Sequence, residues 1–287
     1  VTDRYVVANG ARIFCWDEGN GPLVLMLHGF PEFSYSWRHQ MGPIAAAGYR
    51  AVAIDLPGFA RSDKPDVKYD AQWVGDTISE VISALGHESA VVIGHDWGGL
   101  LLWPFARRFP DQVAGAIGLN VPDLPRYDIP PTELFKAIGS SKVQYILDFQ
   151  DRTIEDRIYA DLEGFLELFF LGPATVKKSV FTADVIAAYV EQMRPVGALT
   201  PPLEYYRNMD RNWELAAEYD DRKIQAPAMF IGGAGDPVLP PGLADGMEER
   251  VPNLEKVIIE DCGHWTQQEQ PEETTAHILR FLQQVHS

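Results

Sequence analysis

A short apolar run, Ala90-Val91-Val92-Ile93, leads into Gly94-His95-Asp96-Trp97-Gly98-Gly99, and a helix-like run from Leu100 to Phe109 follows. A strand, a glycine-bounded turn and a helix within so few residues describe a sharp elbow that lifts one side chain clear of its neighbours. That side chain is Asp96. In the common form of such a turn, G-x-S-x-G, the raised residue is serine. A carboxylate there changes the reaction that can be done. The elbow also demands a strand before it and a helix after it, so the surrounding chain should alternate between the two.

It does. Tyr5–Ala8 and Arg12–Trp16 flank Asn9-Gly10, a type I′ hairpin signal. The uninterrupted apolar run Leu23–Leu27 ends in His28-Gly29, as a buried parallel strand would. A helix-like stretch runs from about Ser34 to Ala47, and Arg50–Ile54 reads as the next strand. Asp70 to Leu85 has helical periodicity, with Trp73, Ile78, Val81, Ile82 and Leu85 on one side. After the elbow comes strand Gly115–Leu119. This pattern predicts an α/β fold with a mostly parallel, doubly wound sheet.

From about Pro122 the alternation stops for nearly a hundred residues. Glu155 to Phe170 reads as one long amphipathic helix, and Thr182 caps another that ends before Arg194-Pro195. Strand patterns return at Ala228–Ile231 and Lys256–Ile259, and a helix over about Pro271–Val285 closes the chain. The expected division is a core domain, residues 1–121 and 221–287, interrupted by a helical cap, residues 122–220. Ligands bind at the C-terminal edge of such a sheet, so the insertion should lie over the active site.

Composition limits the partners. The 287 residues carry a formal net charge of −17, which argues against nucleic acid and anionic lipid. No run of eighteen apolar residues exists and the N-terminal Val-Thr-Asp-Arg-Tyr has no apolar signal core, so no membrane span or signal peptide is expected. Two distant cysteines, Cys15 and Cys262, fit a reducing cytoplasm better than a disulfide scaffold. Homo-oligomerisation is left open.

The catalytic order nucleophile, acid, histidine is present in sequence. Asp96 is on the elbow. Asp236 follows a strand in Gly232-Gly233-Ala234-Gly235-Asp236-Pro237, and His264 follows the last strand in Asp261-Cys262-Gly263-His264-Trp265. Each should project over the C-terminal edge. Asp123 is the rival acid, although it more naturally starts the cap. Asp261 and the His28 side chain read as structural. The backbone N–H groups of Phe30, in His28-Gly29-Phe30-Pro31, and of Trp97 are the candidate oxyanion donors.

Aspartate suits attack on a saturated carbon. Serine would form an ether there, which water does not cleave. Aspartate forms an ester, whose carbonyl a histidine-activated water can attack. A carboxylate is also ionised at neutral pH and needs no base. Epoxides and alkyl halides both fit. An epoxide oxygen leaves as an alkoxide and needs proton donors, and tyrosine supplies them.

The chain resembles the soluble-type epoxide hydrolases of the α/β-hydrolase fold. The likeness is carried by His28-Gly29-Phe30-Pro31-Glu32, the Gly94–Gly99 elbow, the Gly235-Asp236 and Cys262-Gly263-His264 loops, and two cap motifs, Tyr145-x-x-x-Phe149-Gln150 and Tyr206-Arg207-Asn208. It spans about residues 23 to 265. It implies a small-molecule epoxide substrate, no cofactor and no metal. It also implies that Tyr145 and Tyr206 hold the epoxide oxygen, although the Tyr205-Tyr206 doublet leaves open which ring points inward. Glu32 is expected to be supporting polar structure. Ala60 departs from the pattern, since many relatives have glycine there. Phe30, Trp37, Trp97 and Phe149 are the candidate pocket aromatics and favour an apolar epoxide.

Two other readings compete. A haloalkane or haloacid dehalogenase would use the same nucleophile, and the Trp97 indole N–H fits a halide. Phe30 offers no polar side chain for one, and an arginine in place of Trp97 is absent. A catalytically silent ligand-binding protein of the same fold would not need an intact triad and two tyrosines.

Overall fold

The computed structural model describes residues 1–286. Its centre is one eight-stranded sheet: β1 (Thr2–Ala8), β2 (Ala11–Glu18), β3 (Leu23–Leu27), β4 (Arg50–Ile54), β5 (Ala90–His95), β6 (Val113–Leu119), β7 (Ala228–Gly233) and β8 (Leu254–Ile259). The order across the sheet is β1-β2-β4-β3-β5-β6-β7-β8. From β4 to β8 all neighbours are parallel, whereas β1–β2 and β2–β4 are antiparallel. The order reverses at β3 and β5, whose C-terminal ends carry the Gly29 turn and the elbow.

Strand alternation divides the core into two layers. Val24, Met26, Ala51, Ala53, Val91 and Ile93 face one side, with Ile278, Phe281 and Leu282 of the final helix, Pro271–Val285. Leu25, Leu27, Val52, Ile54 and Val92 face the other. There they meet the helix Ala71–Ala84, capped by Asp70, whose carboxylate accepts the Trp73 N–H at 2.9 Å. Cys15 and Cys262 are buried free thiols, and burial pushes each up to about 12.

All residues between β6 and β7 are free of strand. Seven α-helices occupy this stretch, from Pro131–Ile138 to Met209–Ala216. One sequence expectation is corrected here. Glu155 to Phe170 is two helices, Ile154–Ala160 and Leu162–Phe170. Asp161 leaves the helical region, at φ −149° and ψ 67°, and its carboxylate accepts the Gly164 N–H at 3.1 Å. A residue that can cap a new helix has competed with continuing the old one. Ala183–Met193 begins at Thr182, as its capping pattern suggested.

Ala60 sits at φ 37°. A Cβ is strained there, and glycine would not be. Ala60→Gly should stabilise the fold by roughly 0.5–1 kcal/mol, relief of strain less the extra freedom of the unfolded chain. A lowered urea midpoint would show that the surrounding loop tolerates the alanine without cost.

Candidate active site

The elbow is built by close approach of backbones. A Cβ on Gly94 would run into the Gly98 carbonyl, and one on Gly29 would strike the Asp96 side chain. Asp96 itself is held at φ 50°, ψ −118°, a conformation that L-residues avoid and that a tight surrounding structure must impose. The helix Trp97–Arg108 starts immediately after it.

Three loops, after β3, β7 and β8, converge beside Asp96 at the C-terminal edge of the sheet. The Phe30 N–H donates to Asp96 Oδ1 at 2.7 Å. His264 Nε2 stands 3.5 Å from Asp96 Oδ2, and His264 Nδ1 donates to Asp236 Oδ2 at 2.8 Å. Asp236 Oδ1 accepts the N–H groups of Val238 and Leu239 at 2.8 and 3.0 Å. This fixes the imidazole with Nε2 aimed at Asp96.

The charges follow from the contacts. Burial works to raise the Asp96 carboxyl, but its bond to His264, the nearby imidazoles and the Phe30 N–H outweigh it and hold it below the ordinary carboxylate range. Asp236 is lowered in the same way: burial is outweighed by His264 and two backbone donors. Burial alone would depress His264, yet the Asp236 and Asp96 carboxylates hold it well above its ordinary value.

Beneath His264 lies a buried polar hub. Glu32 Oε1 accepts from Gln267 and Gln268 at 3.0 and 2.7 Å. Its Oε2 accepts the Gly29 N–H at 3.2 Å and meets His95 Nδ1 at 2.8 Å. His95 Nε2 meets the His264 carbonyl at 2.7 Å. Both ring nitrogens of His95 thus meet oxygen atoms of neighbouring loops. Glu32 is indeed structural polarity, but it carries the turn, the elbow histidine and the His264 loop together. His28 is structural too: its Nδ1 meets the Gly29 carbonyl at 2.8 Å and its Nε2 accepts the Leu56 N–H at 2.9 Å.

Over the elbow lies a chamber of about 710 Å³. Asp96, His264, Tyr145 and Tyr206 all line it, and so do Phe30 and Phe149. The Tyr145 and Tyr206 rings lie 6.1 Å apart, edge to face. Burial, and then nearby charge that includes Asp96, push both phenols above their ordinary value, so both keep their protons. Tyr205 turns away: its hydroxyl donates to the Pro57 carbonyl at 2.8 Å. The doublet is thereby resolved in favour of Tyr206.

Two pocket expectations are corrected. Trp37 is buried on the opposite face of the sheet with Met41 and Ile44. The 3₁₀ turn Ser34–Trp37 aims it into the core. Trp97 does not line the chamber either. Its ring stands behind Tyr206, 4.9 Å away and edge-on, and it lines a separate cavity of about 200 Å³. In their place the helix Leu162–Phe170 supplies Phe165 and Phe169, 6.2 and 5.6 Å from the Phe30 ring. Their i, i+4 spacing was a readable signal of a shared face. Asp123 is remote from this geometry. It is buried against Arg107, at 2.6 and 2.7 Å, and Arg250, at 2.9 Å. Asn120, which sequence reasoning passed over, touches both Asp236 and the Gly263 carbonyl.

The cap is pinned to the His264 loop. The His264 N–H donates to the Ala174 carbonyl at 2.8 Å, and Glu269 accepts the N–H groups of Val176 and Lys177 at 2.8 and 2.7 Å. Among the described residues no cluster of His, Cys, Asp and Glu could hold a metal ion, and no helix is long and apolar enough to cross a membrane.

The chain is similar to known proteins. A model of the alpha/beta hydrolase fold matches residues 22–271. Epoxide hydrolase A of Mycobacterium tuberculosis is 33% identical, with 98% of this chain and 97% of that protein covered. The bifunctional epoxide hydrolase 2 of Sus scrofa is 34% identical over 97% of this chain, which spans 54% of that longer protein. The crystal structure of epoxide hydrolase A from Mycobacterium thermoresistibile superposes with a TM-score of 0.89 at 34% identity, covering 98% of both chains. With its carboxylate on the elbow and its two phenols overhead, the chain belongs to the epoxide hydrolases of the α/β-hydrolase fold.

Proposed function

We propose that this chain converts an apolar epoxide and water to a vicinal diol through a covalent ester on Asp96. The observation that carries the reading is one chamber in which the Asp96 carboxylate faces two protonated phenols, with His264 and Asp236 behind it. Asp96 Oδ2 attacks an epoxide carbon from the open side. The carbon–oxygen bond breaks, and the alkoxide takes a proton from Tyr145 or Tyr206. Its charge develops where the donors already point, so little reorganisation is needed.

Alkylation removes the negative charge of Asp96. One of the influences raising His264 then disappears, so its proton is held less tightly and passes to the tyrosinate, which leaves the imidazole neutral when a base is needed. His264 Nε2 takes a proton from water, and the hydroxide adds to the ester carbonyl. The Phe30 and Trp97 N–H groups hold the resulting oxyanion. Collapse expels the diol oxygen, which recovers the proton from His264, and the carboxyl proton left on Asp96 returns to His264, restoring the starting charges. Phe30, Phe149, Phe165 and Phe169 give the chamber an aromatic wall suited to an apolar substrate.

The source of the diol oxygen tests this route. With enzyme in excess in heavy-oxygen water, the first turnover should yield unlabelled diol, and the label should remain in the peptide that carries Asp96. Direct attack of water on the epoxide requires the reverse. Labelled first-turnover diol, after subtraction of uncatalysed hydrolysis, would rule out the ester.

A further inference from the structure

We infer that Asn120 is a positioning residue for the second half-reaction, cleavage of the ester, and has no part in ring opening. Asn120 follows β6 directly and is fully buried, at φ 62°. Few residues other than glycine hold that backbone conformation, and asparagine is one of them. Here its side chain is also used at both ends. Nδ2 donates to Asp236 Oδ2 at 3.0 Å and to the Gly263 carbonyl at 3.1 Å. Oδ1 accepts the hydroxyl of Thr266. A flipped amide would set its oxygen against a carboxylate and a carbonyl, so the contacts admit one orientation. The backbone N–H donates to the Ile231 carbonyl at 2.8 Å, which joins the end of β6 to β7.

One residue thus holds both loops that make the base. It grips the oxygen of Asp236 that receives the His264 proton, and the peptide carbonyl immediately before His264. With His264, Val238 and Leu239 it completes four donors on that carboxylate. Without Asn120, Asp236 Oδ2 keeps only the imidazole, and both loops gain freedom to turn. None of its side-chain contacts is to Asp96, Tyr145, Tyr206 or Phe30, the groups on which ring opening depends.

The inference rests on the roles given above to Asp96 and His264, and the test separates the two. Asn120→Gly removes the amide and keeps the left-handed backbone. Its kcat should fall about 10- to 100-fold, the cost of misplacing a reacting group by a fraction of an ångström to an ångström. KM should fall in parallel, leaving kcat/KM unchanged, because kcat/KM reports the irreversible ring opening. The alkyl-enzyme should accumulate in the steady state, visible by intact mass.

The pH profile supplies a second readout. The groups facing His264 are Asp96 on the elbow, Asp236 on its own loop and His95 on β5 with Glu32 behind it, and Tyr145 and Tyr206 share the chamber. An Asp236 with one donor fewer holds the imidazolium more tightly, so the acid limb of kcat should move to higher pH. Thr266→Val, which frees only Oδ1, should show the same signs in smaller measure, and it serves if the glycine variant does not fold. A joint fall of kcat and kcat/KM in these variants, or kinetics like those of the parent, would overturn the role of Asn120. His264→Gln, run alongside, should trap the ester. If it does not, the covalent route itself fails, whatever the asparagine variants do.

Discussion

In His264→Gln, one equivalent of epoxide should be opened and turnover should then stop. On the proposed route the nucleophile is an ionised carboxylate and needs no base, whereas the ester needs an activated water. Intact mass should rise by one substrate, and steady turnover should drop by about 10⁶-fold, as when a triad base is lost. Continued turnover at the parent rate would remove His264 from the mechanism. The parent enzyme should also show two different titrations of this residue. In the free enzyme the charge of Asp96 holds His264 up; in the ester that charge is gone. The base must be neutral, so kcat should rise with pH through the lower, ester-stage value. An acid limb at or above the free-enzyme titration, followed by NMR of the imidazole, would contradict the proposed switch.

The double variant Tyr145→Phe with Tyr206→Phe should lose ring opening almost entirely. A single positioned acid contributes about 10²–10⁴-fold, and either phenol alone retains part of that. The packing should survive. Tyr206 keeps its edge-on contacts with Phe30, Trp97 and Phe149 at 5.4, 4.9 and 5.0 Å, and these involve the rings. The thermal midpoint should therefore change little while single-turnover ester formation collapses. Rapid ester formation in the double variant would mean that the alkoxide is protonated by another group.

What was legible in the sequence follows from the range of the signals. The strand runs and the elbow are local, because buried parallel strands need continuous apolar residues and a tight turn needs glycine. The order Asp96, Asp236, His264 is also readable, since each residue follows a strand pattern. Side-chain direction is not local. Trp37 stands seven residues after Phe30 in a turn whose geometry alone decides that it enters the core. The break at Asp161 came from a capping carboxylate that a helical period does not register. Asn120 gives no signal by itself, because its partners lie 116, 143 and 146 residues away.

The bond from the Phe30 N–H to Asp96 Oδ1 makes the two oxygens of the nucleophile unequal. Oδ1 is tethered, while Oδ2 faces the imidazole; on the proposed route Oδ2 is the atom handed to the product. On that route the replacement atom comes from water on the His264 side, where the lost one had been. Unless the carboxylate rotates between cycles, the enzyme wears and renews a single oxygen and keeps the other for life. In heavy-oxygen water the Asp96 peptide should then gain one heavy atom and never a second, and every diol after the first should carry the label. The nucleophile would behave as a one-atom memory of the previous turnover.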